Sequence, residues 1–139
     1  MTERDTRAAV AAIRARAAHS PSIGVILGSG LGRLAEEVRD AVRIPYPDIP
    51  GFEKSTAPGH AGELVVGRLE GKDVAVMNGR FHYYEGYEPQ AVTFPVRVLR
   101  ALGAKTLLVS NPAGACIPCG ARATSCSSPT TSISSATIR

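Results

Sequence analysis

The sequence predicts an α/β domain with a mixed central sheet flanked by helices, and three observations lead there. Two short apolar runs, Ser22-Ile23-Gly24-Val25-Ile26-Leu27 and Thr106-Leu107-Leu108-Val109-Ser110, read as strands buried on both faces. Residues 63–69 and 73–77 alternate around Glu70-Gly71-Lys72 and read as a hairpin. Segments with helical periodicity separate these runs. A length of 139 residues suits one domain. At 44% hydrophobic and 20% charged the composition is that of a globular chain. With no Trp and 5% aromatics, its core must come from Ala, Val, Ile and Leu.

In chain order, residues 3–18 repeat apolar at Ala9, Ile13 and Ala17, with Arg and Glu opposite, and predict an amphipathic helix that ends at His19-Ser20-Pro21. The first buried strand follows, then Gly28-Ser29-Gly30-Leu31-Gly32 and a helical stretch over 31–38. Residues 40–62, rich in Pro and Gly, read as a long ordered loop, and the hairpin comes next. Residues 79–88 form a loop dense in polar aromatics. Residues 91–102 read as a helix, with Pro95 tolerable only in its first turn. The second buried strand ends in Asn111-Pro112-Ala113-Gly114.

Sixteen basic residues against 12 acidic leave a net charge of +4. The Arg residues are scattered, so nucleic acid is not expected as a partner. No apolar run approaches the roughly 18–20 residues of a membrane span. The charged start, Met1-Thr2-Glu3-Arg4-Asp5, precedes no apolar signal core, and the expected location is cytoplasmic.

Three features carry chemistry. In the strand–Gly28-Ser29-Gly30-Leu31-Gly32–helix unit, glycines let backbone N–H groups line a concavity that favours an anion, and Ser29 adds a hydroxyl. The spacing fits neither a dinucleotide fold nor a P-loop, and a plain tight turn is the alternative. In Gly79-Arg80-Phe81-His82-Tyr83-Tyr84-Glu85-Gly86-Tyr87, Arg80 and His82 face the same way if the segment is extended. A guanidinium fork beside an imidazole suits a phosphate, and Tyr84 continues that face. The alternative is a solvated loop with packed rings. In Pro58-Gly59-His60-Ala61-Gly62, a His is pinned by glycines ahead of a strand; by itself it could be structural or merely exposed.

Together with Val92-Thr93-Phe94-Pro95-Val96-Arg97 and the stretch from Gly103-Ala104 to Gly114, these blocks resemble the trimeric purine-nucleoside phosphorylase family almost continuously over residues 22–114. The resemblance implies an incomplete phosphorylase-type domain. It implies phosphorolytic cleavage of purine ribo- or deoxyribonucleosides to the free base and the pentose 1-phosphate. By the same resemblance Ser29, Arg80 and His82 bind phosphate with His60 near them, and Tyr84 closes over ribose and phosphate. His82 and Tyr84 are the catalytic pair it implies. Purine nucleoside and phosphate are the implied partners, a homotrimer the implied assembly, and no metal or organic cofactor is implied. Methylthioadenosine phosphorylase, which shares fold and phosphate site, is the alternative enzyme; a non-catalytic phosphate-binding remnant is the alternative outside enzymes. One position departs from the family's Asn-Ala-Ala-Gly: its first Ala, whose N–H donates to phosphate, is Pro112 here, and proline has no N–H.

The composition breaks near Gly114. All 12 Asp and Glu lie in residues 1–114, while 115–139 hold all three cysteines, six Ser and four Thr. The chain thus divides into 1–114, the N-terminal part of a phosphorylase domain, and a non-homologous tail, 115–139. A disordered Ser/Thr-rich tail is one reading. Metal or disulfide chemistry at Cys116-x-x-Cys119 is a second, weakened by the lack of another ligand pair. The third is a frameshift. Ser codons of the TCN type, read in a displaced frame, end a triplet as xTC and encode Phe, Leu, Ile or Val. Thr codons give xAC, encoding Asp, His, Asn or Tyr. Over 124–139 the displaced frame allows Asp-Leu-Val-Leu-Val-Ser-Asp-His-Ile-Asn-Leu-Ile-Ser-Asp-Asn-Pro, which is the family's continuation. The adopted expectation is a frameshifted, disordered tail and a chain inactive as it stands.

Overall fold

The computed structural model describes residues 3–28, 30–53, 61–113 and 130–137. Helix α1 spans Glu3–Arg16, with Glu3 and Asp5 in its first turn and Arg14 and Arg16 in its last, the arrangement that complements the helix dipole. Strand β1 (Ile23–Ile26) follows, then β2 (Arg39–Pro45), β3 (Glu63–Leu69), β4 (Lys72–Asn78), helix α2 (Pro89–Leu102), β5 (Thr106–Ala113) and β6 (Thr130–Thr137). The six strands form one sheet in the order β2-β3-β4-β1-β5-β6. β1 runs parallel to both β4 and β5, and the remaining pairs are antiparallel. The sheet is mixed, as the sequence predicts.

Period-two alternation divides the core between the two faces of the sheet. Leu64, Val66, Ala75 and Met77 face a cluster with Ala9 and Ile13 of α1 and Phe94, Val98 and Leu99 of α2. Val65, Val74 and Val76 face a second cluster with Val25, Leu27, Ala35 and Val38. α2 comes close to β1 at Gly24, where an added Cβ would lie 3.1 Å from Leu99 Cδ1. The hairpin turns through Glu70 (φ 48°) and Gly71 (φ 73°), the two left-handed residues of a tight type I′ connection.

Five expectations need correction. The stretch 31–38 is not an α-helix but a single 3₁₀ turn at Gly32–Ala35, too short between Gly30 and β2 to nucleate more. The supposed loop 40–62 begins with β2, which pairs antiparallel with β3 and carries a bulge between Arg39 and Val42. β2 is an edge strand with most residues exposed, which is where Pro45 is tolerated. α2 starts at Pro89, so Pro95 falls inside the helix and not in its first turn. β5 continues through Asn111, Pro112 and Ala113. Disorder was expected throughout 115–139, yet Thr130–Thr137 forms β6 and pairs with β5 from Thr106 to Ala113. The three cysteines lie outside the described residues. No helix among the described residues is long and apolar enough to cross a membrane.

Candidate anion-binding site at the carboxyl ends of the parallel strands

Because β1, β4 and β5 are parallel neighbours, the turn after β1, the loop after β4 and the last residues of β5 gather at one end of the sheet. Ligands of open α/β sheets bind outside such carboxyl ends. The turn after β1 closes with Leu31 N–H donating to Gly28 O at 3.3 Å. Gly28 N–H donates to Ser110 Oγ at 2.8 Å, and Ser110 Oγ donates to Ile26 O at 3.4 Å. An added Cβ on Gly28 would lie 2.6 Å from Ser110 O, so this approach of two backbones requires glycine. From the other side Arg80 Nη1 donates to Ser110 O at 3.3 Å. The glycine turn and Arg80 therefore meet at one residue of β5.

Arg80 is aimed by its neighbours. Phe81 is buried against Tyr46, Phe52 and Tyr87, with ring centroids 5.3, 6.1 and 6.0 Å apart. Alternation about a buried Phe81 turns Arg80 and His82 away from that aromatic cluster. Gly79, at φ 118°, bends the chain out of β4, and its carbonyl accepts the Tyr46 phenol at 2.5 Å. Burial, and secondarily the Glu63 carboxylate, push the Tyr46 phenol far above the usual tyrosine range, so it stays a donor.

His82 precedes a one-turn 3₁₀ helix, Tyr83–Glu85. Glu85 fixes this corner: its carboxylate accepts His82 N–H at 2.7 Å, and its own N–H donates to His82 O at 3.1 Å. The His82 ring stacks on Tyr84 with centroids 4.6 Å apart and planes 17° from parallel. Tyr83 and Tyr84 are 73% and 77% exposed, so Tyr84 stands open to solvent. Tyr87 has its phenol raised by desolvation, then by Glu85 and Glu53.

Of the residues named from sequence, Arg80 joins the glycine turn through Ser110, and His82 joins Tyr84 by stacking. Ser29 and His60 lie outside the described residues. The Pro112 backbone lies in β5 opposite Thr131, beyond the residues of β5 that pair with β1. Sequence reasoning missed Ser110 and Tyr46. A polar residue ending the apolar run 107–109 was the available signal for Ser110. At the opposite end of the sheet, by the β3–β4 turn, lies a cleft of about 750 Å³ lined by Glu36, Glu37, Asp40 and Glu70 with Arg39 and Arg68. Four carboxylates against two guanidinium groups make it unfavourable for an anion.

A family profile described as the phosphorylase superfamily matches residues 22–121, reaching past Gly114 where the sequence reading placed its boundary. Purine nucleoside phosphorylase 1 of Geobacillus stearothermophilus is 64% identical over 95 residues, which are 68% of this chain and 35% of that protein. Purine nucleoside phosphorylase 1 of Bacillus subtilis is 56% identical over 114 residues, 82% of this chain and 42% of that protein. Among solved structures, isoform 2 of purine nucleoside phosphorylase from Schistosoma mansoni, in complex with cytosine and ribose-1-phosphate, superposes with a TM-score of 0.76 at 42% identity, over 81% of this chain and 40% of that one. The chain thus spans less than half the length of these relatives. The strand order, the site-bearing loops and these likenesses agree: the chain belongs to the phosphorylase superfamily, and its likeness within it is to purine nucleoside phosphorylases.

Proposed function

We propose that this chain supplies the phosphate-binding part of a purine-nucleoside phosphorylase, which cleaves purine ribo- and deoxyribonucleosides with inorganic phosphate. The single observation that carries this reading is the meeting of the Gly28 turn and the Arg80 guanidinium at Ser110, outside the carboxyl ends of three parallel strands. In the proposed reaction a phosphate oxygen bonds to C1′ as the C1′–N bond breaks. The departing purine keeps the electron pair and takes up a proton. The ribosyl transition state has oxocarbenium character, so a dianion held beneath C1′ stabilises it and loses entropy before the chemical step.

Arg80 offers the bidentate fork for that dianion, with Ser29, His82 and His60 as further donors. Tyr84 folds over the pentose in this reading, and its stacking on His82 and its exposure to solvent support that role. Pro112 offers no N–H, so this chain holds phosphate less tightly than an Ala at that position would. The groups that read the purine are assigned to sequence beyond that matched here, and the 139-residue chain is expected to show negligible turnover. The reading includes no metal or organic cofactor, a homotrimeric assembly and a cytoplasmic location.

Phosphorolysis assays with inosine, guanosine and methylthioadenosine, alongside calorimetric titration of inorganic phosphate, test this reading. Saturable phosphate binding that Arg80→Ala weakens at least about tenfold, with no turnover of any nucleoside, is the expected result. Turnover of methylthioadenosine alone would move the assignment to the sister enzyme. Phosphate binding indifferent to Arg80→Ala would overturn the site.

A further inference from the structure

Ser110 is buried, 5% exposed, at the end of an otherwise apolar run. A hydroxyl there needs partners. Both of its hydrogen bonds go to the chain that leads into the glycine turn: it accepts Gly28 N–H at 2.8 Å and donates to Ile26 O at 3.4 Å. Its main-chain carbonyl accepts Arg80 Nη1 at 3.3 Å from the opposite loop. One residue thus holds, through its side chain, the Gly28 N–H at the start of the turn and, through its carbonyl, the Arg80 guanidinium. Gly28 lies so near β5 that an added Cβ would come within 2.6 Å of Ser110 O.

We propose that Ser110 is the positioning residue of the phosphate site: its hydroxyl sets the distance between the glycine turn after β1 and Arg80. The proposal rests on the function proposed above. Removing Oγ leaves Gly28 N–H without its acceptor and frees the turn to shift relative to Arg80. The anion is then held by donors that no longer converge, although Ser110 itself does not touch it.

The test titrates inorganic phosphate into the full 139-residue chain by calorimetry, with urea unfolding run in parallel on each variant. Ser110→Ala is expected to raise the phosphate Kd by about five- to tenfold, measured well below its unfolding transition. Ser110→Thr keeps the hydroxyl and should stay within about twofold of wild type. If Ser110→Ala does not fold, Ser110→Cys replaces it, since a thiol keeps the volume but accepts weakly. A lowered urea midpoint with an unchanged Kd would make Ser110 structural only and overturn the proposal while leaving the phosphate site standing. Equal weakening by Ala and Thr would also overturn it. No saturable phosphate binding by the wild-type chain would overturn the functional reading, and this proposal with it.

Discussion

Tyr46 and Pro112 show how much of this site is decided by single atoms. Tyr46 donates its phenol to Gly79 O, the residue that hands the chain from β4 to Arg80. Tyr46→Phe leaves that carbonyl without its buried donor and should cost about 1–3 kcal/mol in urea unfolding. The same variant should change the alkaline limb of stability. The folded phenol titrates far above its unfolded value of about 10, so its contribution is complete below about pH 10 and declines as pH rises beyond it. Wild type should lose stability over that range, and Tyr46→Phe should flatten the loss; an unchanged slope would place the alkaline sensitivity elsewhere. Pro112→Ala should tighten phosphate by about ten- to a hundredfold, because it restores one donor to a charged acceptor. Equal phosphate affinity of the two forms would show that this N–H does not reach the anion. At this scale the sequence was partly legible. Arg80 and His82 could be paired because they stand two apart in a segment read as extended, whereas Ser110 and Gly28 are 82 positions apart and meet only through strand adjacency.

Among the elements, β1, the β3–β4 hairpin, α2 and β5 could be read because each is an apolar pattern of clear period bounded by Gly or Pro. β2 could not. Only Ile44 on it is fully buried, so its alternation is faint, and the prolines at 45, 47 and 50 dominate the stretch. β2 pairs with β3, and Gly67 of β3 lies close against its first residues. A Cβ there would lie 2.5 Å from Arg39 O and 2.7 Å from Val38 Cγ1. Gly67→Ala should therefore destabilise by about 1–3 kcal/mol by pushing this edge strand away; a neutral effect in urea unfolding would mean that β2 yields without cost. β6 was illegible for a different reason: Thr and Ser dominate its sequence, Ile133 is its one large apolar residue, and only its register with β5 marks it as a strand. Whether residues 115–139 carry a displaced frame is a property of the gene. Sequencing across codons 110–139 is expected to reveal Asp-His-Ile-Asn in the displaced frame, and uninterrupted support for the printed frame without it would reject the frameshift.

For the whole molecule, the sheet brings three loops to one end and packs apolar residues on both faces, while its outer strands are β2 and the Ser/Thr-rich β6. Ser134, Ser135, Ala136 and Thr137 of β6 are exposed, so this edge offers little burial and invites pairing with other strands. The isolated chain should accordingly melt at low temperature, aggregate on standing and turn over inosine negligibly; a cooperative melt with turnover like that of the longer relatives would show that the sequence matched here suffices for the reaction. Phosphate is proposed to bind at the carboxyl ends of β1, β4 and β5 and not in the acidic cleft at the other end of the sheet, and every other role assigned to the chain depends on this placement. It is tested most directly by following backbone amide resonances of the 139-residue chain during titration with inorganic phosphate. Saturable shifts should cluster at residues 28–32, 80–82 and 110–111, with residues 36–40 and 70–71 of the acidic cleft unmoved. Shifts confined to that cleft, or none at Gly28, Arg80 and Ser110, would contradict the account.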